Sequence, residues 1–225
     1  LESPAASGLA VAHATGDTLE NWLLRPEPLI VGLGTGRTLR AAVEHLPHVA
    51  CDQHRVVSLT GNITPDGSTA YYNVLFTITD KVSAQTFPMP MPVVAASAAE
   101  RDALLGQKTL ATTRDLAERT DVRFMGVGSL GETAPLRLDG FITAEEQARL
   151  LAKGAVGEMI GFVFDAAGEL LDDAVTDRVR SPALRPPPAV PPSASPHGAA
   201  QVTAVPHALR SRRLTGVPPR QGTCT

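Results

Sequence analysis

The chain has 225 residues, 43% of them hydrophobic, a formal net charge of −3 and a mean hydropathy of +0.02. That length carries one large α/β domain or two small ones, and no apolar run is long enough to span a membrane. The charge is split: residues 181–225 hold five arginines, ten of the 19 prolines and no acid, leaving 15 basic against 23 acidic residues ahead of them. An acidic body is a poor nucleic-acid surface, so any DNA binding belongs to a part outside this sequence. Cys51 and Cys224 stand far apart, no charged start precedes an apolar segment, and the first residue is Leu1. These features point to a piece of a longer, cytoplasmic protein without a disulfide framework.

In chain order, residues 3–24 carry Leu9, Val11, Leu19, Trp22 and Leu23 at spacings that predict a helix, interrupted near Gly16 and recapped by Asp17. The apolar run Pro28-Leu29-Ile30-Val31 reads as a short buried strand. It breaks into Gly32-Leu33-Gly34-Thr35-Gly36, after which Leu39, Val43 and Leu46 recur at helical spacing. Strand, glycine turn and helix point successive backbone N–H groups at one spot, with the positive end of the helix dipole behind it. Thr35 and Thr38 can donate hydroxyls there, and Arg37 brings a fixed charge. Arginine at 37 removes the third glycine of the dinucleotide fingerprint, and no Gly-Lys-Ser/Thr follows as in a P-loop. The stretch suits a small phosphate or carboxylate; a plain strand-to-helix turn that needs glycine is the competing reading.

Arg55–Thr60 predicts a second strand that ends at Gly61-Asn62, and one helix between the two strands makes a βαβ unit. Ligands of open α/β sheets sit beyond the carboxyl ends of the strands, which puts Thr60, Gly61 and Asn62 in the crevice of Thr35 and Arg37. An ordinary strand-ending turn competes here too. Tyr71, Val74, Leu75 and Ile78 fit a helix within 67–81, although the β-branched content leaves a strand open. Val82–Phe87 reads as a short strand, and Phe87–Pro92 as extended chain, because a residue before proline avoids helix. Met89 and Met91 suit packing rather than ligation.

Residues 98–119 predict one or two helices broken near Gly106, and Val122–Ser129 a strand that ends in a glycine turn at Gly128-Ser129. Thr143 starts a helix with Glu146 as its capping-box partner. Residues 154–158 lead into a strand, Met159–Asp165, closed by an Ala-Ala-Gly turn. Glu158 stands beside its own glycines, Gly154 and Gly157, and before a buried strand, and a carboxylate there can accept hydrogen bonds from vicinal sugar hydroxyls; a solvated surface glutamate is the alternative. The histidines His13, His45, His48, His54, His197 and His207 show no metal-ligand spacing and no Ser/His/Asp arrangement. No metal, cofactor or catalytic residue is assigned.

Gly-Leu-Gly-Thr-Gly-Arg-Thr-Leu, Val-Val-Ser-Leu-Thr-Gly-Asn, Pro-Met-Pro-Met-Pro, Gly-Val-Gly-Ser-Leu-Gly and Gly-Ala-Val-Gly-Glu-Met-Ile-Gly-Phe-Val-Phe-Asp occur in this order. Together, over residues 28–180, they resemble the sugar-binding effector domain of SorC/DeoR-type bacterial transcription regulators. The resemblance implies an α/β fold: an open, largely parallel sheet with helices on both faces, as in pentose-phosphate isomerases and glucosamine-phosphate deaminases. It implies binding of a phosphorylated sugar or polyol without turnover, in a homo-oligomer (dimer or tetramer) that contacts DNA through a helix-turn-helix domain. Carried over by motif, Gly34, Thr35, Gly36, Arg37 and Thr38 hold the phosphate. Thr60, Gly61, Asn62, Gly128, Ser129 and Glu158 then take the sugar.

Two departures stand out. The helix-turn-helix is absent from this chain. After the Asp-Arg-Val segment the family continues with a strand, an Ala-Gly-Gly loop, a ligand-contacting lysine and a final helix, where this sequence turns Pro/Arg-rich. The expected organisation is an effector domain over 1–185, with its N-terminal helix at 3–24, and a disordered tail over 186–225. The alternative is an isomerase-type enzyme of the same fold. Such an enzyme needs an Asp-Gly-Ala-Asp-like motif and a Lys-Gly-rich loop, of which Asp139-Gly140 and Lys153-Gly154 are weak echoes.

Overall fold

The computed structural model describes residues 4–69, 73–179 and 193–195. Helix α1 (Pro4–Leu23) runs unbroken through Gly16, contrary to the interruption expected there. The reason lies on α2 (Arg37–Glu44): a Cβ at Gly16 would sit 3.0 Å from the carbonyl oxygen of Ala42. Glycine serves the close approach of two helices, and Asp17 is an interior helical residue rather than a cap. At the far end of α1, the buried ring of His54 accepts the Leu29 N–H at Nδ1 (3.1 Å) and lies 3.0 Å from the Leu23 carbonyl at Nε2. A carbonyl only accepts, so Nε2 donates to it, and the ring joins the end of α1 to the start of β1 (Ile30–Leu33).

The remaining elements are β2 (Arg55–Ser58), α3 (Val74–Thr79), β3 (Gln85–Phe87), α4 (Ala98–Leu105), α5 (Ala111–Glu118) and β4 (Val122–Ser129). After them come α6 (Pro135–Leu138), α7 (Ala144–Ala152), β5 (Ala155–Met159), β6 (Phe162–Asp165) and β7 (Ser193–Ser195). The sheet runs β3-β2-β1-β4-β5-β6, with β7 beside β4. β1 pairs parallel with β2 and β4, and β2 with β3; β5 runs antiparallel to both β4 and β6. Strand alternation feeds two cores. Val122 and Phe124 of β4 pack with α1, α2 and α3, whereas Met125 and Val127 face Met89, Met91 and Leu116 of α5. The open, largely parallel sheet with helices on both faces is thus present, and Met89 and Met91 are packing residues.

Local signals fare well where they are self-contained. Thr143 Oγ1 accepts the Glu146 N–H at 3.1 Å while Glu146 Oε2 accepts the Thr143 N–H at 2.8 Å, the full capping box at the start of α7. Residues 98–119 split at Gly106 into α4, a short 3₁₀ turn (Lys108–Leu110) and α5. The segment 67–81 is helical from Val74 on; Tyr71 lies outside the described residues. The strand expected over Met159–Asp165 is instead a hairpin. Ile160 (φ 45) and Gly161 (φ 90) make a two-residue turn with both residues in the left-handed region, folding β5 back onto β6. The turn escapes the sequence because Ile160 is apolar and buried, and so continues the hydrophobic run. Of the tail expected to be disordered, residues 193–195 form β7, parallel to β4 with Phe124 opposite Ser193; the rest of 186–225 lies outside the described residues.

Behind β6 the chain is fastened to α7 by charge. The Asp173 carboxylate, 2% exposed, accepts two hydrogen bonds from Arg149 (2.9 and 3.1 Å), one from Lys153 (2.8 Å) and one from the Val175 N–H (3.0 Å). The guanidinium, aided by the ammonium and the amide, holds this carboxyl far below the usual carboxylate range in spite of its burial. Arg178 pairs with Glu146 on the same helix.

Candidate ligand-binding site

Parallel pairing brings the carboxyl ends of β1, β2 and β4 to one rim of the sheet. The Gly34 N–H donates to the Phe124 carbonyl at 2.8 Å, so β1 enters the loop already bonded to β4. A Cβ at Gly34 would lie 3.2 Å from Ile160 Cγ2 and 3.4 Å from the Phe124 oxygen, which shows how closely the loop is pressed between β4 and the hairpin turn. Gly36 then adopts φ 135 with open space where its side chain would be, and α2 begins without a side-chain cap. A helix start with no capping side chain, opening on free space, presents backbone donors and a partial positive charge. Arg37 is exposed beside it, and Thr38 is buried beneath.

The floor of this region is one face of β4. Gly126 and Gly128 are two residues apart and therefore point the same way. A Cβ at Gly126 would lie 3.0 Å from the Thr35 carbonyl oxygen, and one at Gly128 under 3.0 Å from Glu158 Oε1. Gly128 and Glu158 stand directly opposite each other across the β4–β5 ladder, so the missing side chain is what lets the carboxylate fold over the strand. Glu158 Oε2 accepts the Gly161 N–H at 3.0 Å, which anchors the carboxylate to its own hairpin turn. Glycine loop and carboxylate thus meet over a strip of β4 that has no side chains.

Glu158 keeps some solvent contact while protein surrounds it, the environment of a crevice floor. Desolvation pushes its carboxyl up to about 7; the Gly161 N–H opposes that rise and the nearby charge of Asp139 adds to it. Asp139, at the end of α6, is itself raised by the surrounding protein and pulled back by Arg37. Arg37, Asp139 and Glu158 therefore form one electrostatic group. Sequence reading assigned Asp139 no part in ligand binding; its only signal was the Asp-Gly pair, and a four-residue helix brings it to the rim.

The unfolded chain ionises Glu158 from the ordinary glutamate range, the folded chain only near 7. Below about pH 4 both states are neutral and nothing is lost; between there and 7 a penalty grows, reaching roughly 2 kcal/mol above it once the partial exposure of Glu158 is discounted. Glu158→Gln keeps an acceptor for Gly161 and removes the charge. It should raise the unliganded Tm by roughly 4–8 °C at pH 8 and change it little at pH 4. Equal shifts at the two pH values would show that burial of the charge is not the cause.

The β2 end is built differently from the expected pocket lining. Thr60 is buried, and its carbonyl accepts the Ser58 hydroxyl at 2.8 Å. A Cβ at Gly61 would lie under 3.0 Å from the carbonyl oxygens of Met91 and Pro92, and the Asn62 N–H donates to Met91 at 2.9 Å. Thr60 and Gly61 are taken up in joining β2 to the Pro-Met-Pro segment, and Asn62 is 7% exposed. Ser129, also buried, pairs with Gly157 in the ladder next to Glu158.

The sequence model of the Sugar-bind family, a sugar-binding domain, matches residues 5–216. That range takes in α1 and much of the chain beyond 180, wider than the 28–180 marked by the motifs. Erythritol catabolism regulatory protein EryD of Brucella abortus (strain 2308) is 31% identical over 209 residues, 93% of this chain and 66% of its own length. Transcriptional regulator LsrR of Enterobacter sp. (strain 638) is 29% identical over 157 residues, 67% of this chain and 45% of its own. The chain thus spans about two thirds of the first and under half of the second. Among solved structures, a DeoR family transcriptional regulator from Listeria monocytogenes superposes with a TM-score of 0.84 at 17% identity, covering 97% of this chain and 86% of that one. The full-length sorbitol operon regulator SorC from Klebsiella pneumoniae gives 0.80 at 22%, covering 93% and 69%. At such identities the superpositions speak for the fold alone. The relatives are transcription regulators, not enzymes. The chain belongs to the SorC/DeoR-type family of sugar-binding domains of transcription regulators.

Proposed function

We propose that this domain binds a phosphorylated sugar or polyol without turnover and serves as the effector-sensing part of a cytoplasmic transcription regulator. The regulator would act as a homo-oligomer and reach DNA through a helix-turn-helix domain outside this chain. Gly34, Thr35, Gly36, Arg37 and Thr38 receive the phosphate. Asn62, Gly128, Ser129 and Glu158 serve the hydroxylated part, with Thr60 and Gly61 holding that rim in place. The reading rests on two positions of β4 without side chains, where Gly126 underlies the donor-rich loop and Gly128 underlies the Glu158 carboxylate. Those two positions bring the loop's donors and the carboxylate side by side, a receptor for an anion next to an acceptor for hydroxyls. The names of two similar proteins, regulators of erythritol catabolism and of a sorbitol operon, favour a polyol.

Thermal shift with erythritol 4-phosphate, D-glucitol 6-phosphate, their unphosphorylated parents and inorganic phosphate tests it. A ligand at a hundred times its Kd stabilises by about 2.7 kcal/mol. Arg37→Ala should weaken the phosphorylated compounds by about tenfold or more and their parents far less. Equal losses for both would take Arg37 out of the phosphate role, and no shift with any compound would overturn the reading.

A further inference from the structure

Two buried amide atoms have no hydrogen-bond partner among the described residues: Asn62 Oδ1 and Asn73 Nδ2. Asn62 follows β2 and is more than nine-tenths buried. Asn73 is the residue before α3, and its side chain makes no capping bond to that helix. α3 carries the chain from the carboxyl end of β2 back to β3, which runs parallel to β2, so its first turn lies toward the same rim. Native proteins seldom leave buried polar atoms unmatched, because each forfeits its bond to water without a replacement. Here the two needs are opposite: one atom requires a donor, the other an acceptor.

A hydroxyl offers both in one group. Phosphate, carboxylate and carbonyl oxygens that carry no proton only accept, and would leave Asn62 Oδ1 as it is. We propose that Asn62 and Asn73 are the hydroxyl-reading pair of the site, Asn62 accepting from and Asn73 donating to hydroxyls of the sugar or polyol. The pair thereby holds the β2 side of the ligand, across β1 from Glu158. This deepens the reading given above and rests on it. It also adds Asn73, a residue with no motif to announce it.

Calorimetric titration of the whole chain with erythritol 4-phosphate, D-glucitol 6-phosphate and inorganic phosphate decides the matter. Asn62→Leu and Asn73→Leu keep the volume and remove the polar atoms. Each should weaken the polyol phosphates about tenfold, leave inorganic phosphate within about twofold, and leave the unliganded Tm unchanged or higher. Asn73→Asp guards against misfolding, since a carboxylate can cap α3 yet offers no N–H; it should lose the polyol phosphates to the same degree. If the wild type binds polyol phosphates and the variants match it, the pair is refuted while the sugar-phosphate reading stands. A lowered Tm together with loss of inorganic phosphate would refute it as well, by showing the amides to be structural. A wild type that binds no polyol phosphate refutes the reading and the pair together.

Discussion

Gly61→Ala should destabilise the chain by about 3 kcal/mol or more, read as a lower urea midpoint at unchanged slope. The added methyl would stand under 3.0 Å from the Met91 oxygen and from both carbonyl atoms of Pro92. All three belong to backbone, and Pro90 and Pro92 stiffen the segment that would have to move. Retreat would also stretch the bonds from the Asn62 and Ile63 N–H groups to Met91, at 2.9 and 3.2 Å. Gly128 makes the contrast, because its obstacle is the movable end of the Glu158 side chain. A loss below about 1 kcal/mol at Gly61 would mean that the β2 end gives way freely.

Asp173→Asn should remove about 2–3 kcal/mol at neutral pH. The figure is kept toward the lower end because Arg149 and Lys153 are each 44% exposed and regain water when the carboxylate is gone. Since the folded-state pKa is depressed, the contribution is complete above the unfolded value, about 4, and fades as pH falls toward the folded one. Wild-type stability should therefore drop more steeply than the variant's between pH 5 and pH 2. Parallel profiles would assign Asp173 no linked proton, and the ion cluster would be decoration on a segment held by packing.

What the sequence discloses is what neighbours along the chain decide. Thr143 and Glu146 are three residues apart, and their reciprocal bonds need nothing else. The glycine loop likewise carries its own geometry, and the ordered motifs supplied the family and the overall sheet. Gly16 shows the limit: a helix-weakening residue reads as a break until Ala42, 26 residues on, is found against it. Ile160-Gly161 looks like the middle of an apolar strand because the turn residue is also a core residue. Asp139 and Asn73 are unremarkable in sequence, and only the placement of α6 and α3 brings them into the argument.

Gly126, beneath the Thr35 carbonyl, and Gly128, beneath the Glu158 side chain, stand one pleat repeat apart along β4, about 7 Å. Backbone sets the spacing of the two glycines, while the Glu158 carboxylate above Gly128 can still swing. A slip of β4 by a single residue would turn both glycines to the opposite face and bury side chains in their place. Pairing with β1 at one end of the strand and with β5 at the other forbids the slip. The strand is in effect a gauge. On the proposed reading, a molecule too short to bridge the interval should engage one end only, and a longer one should bend or protrude.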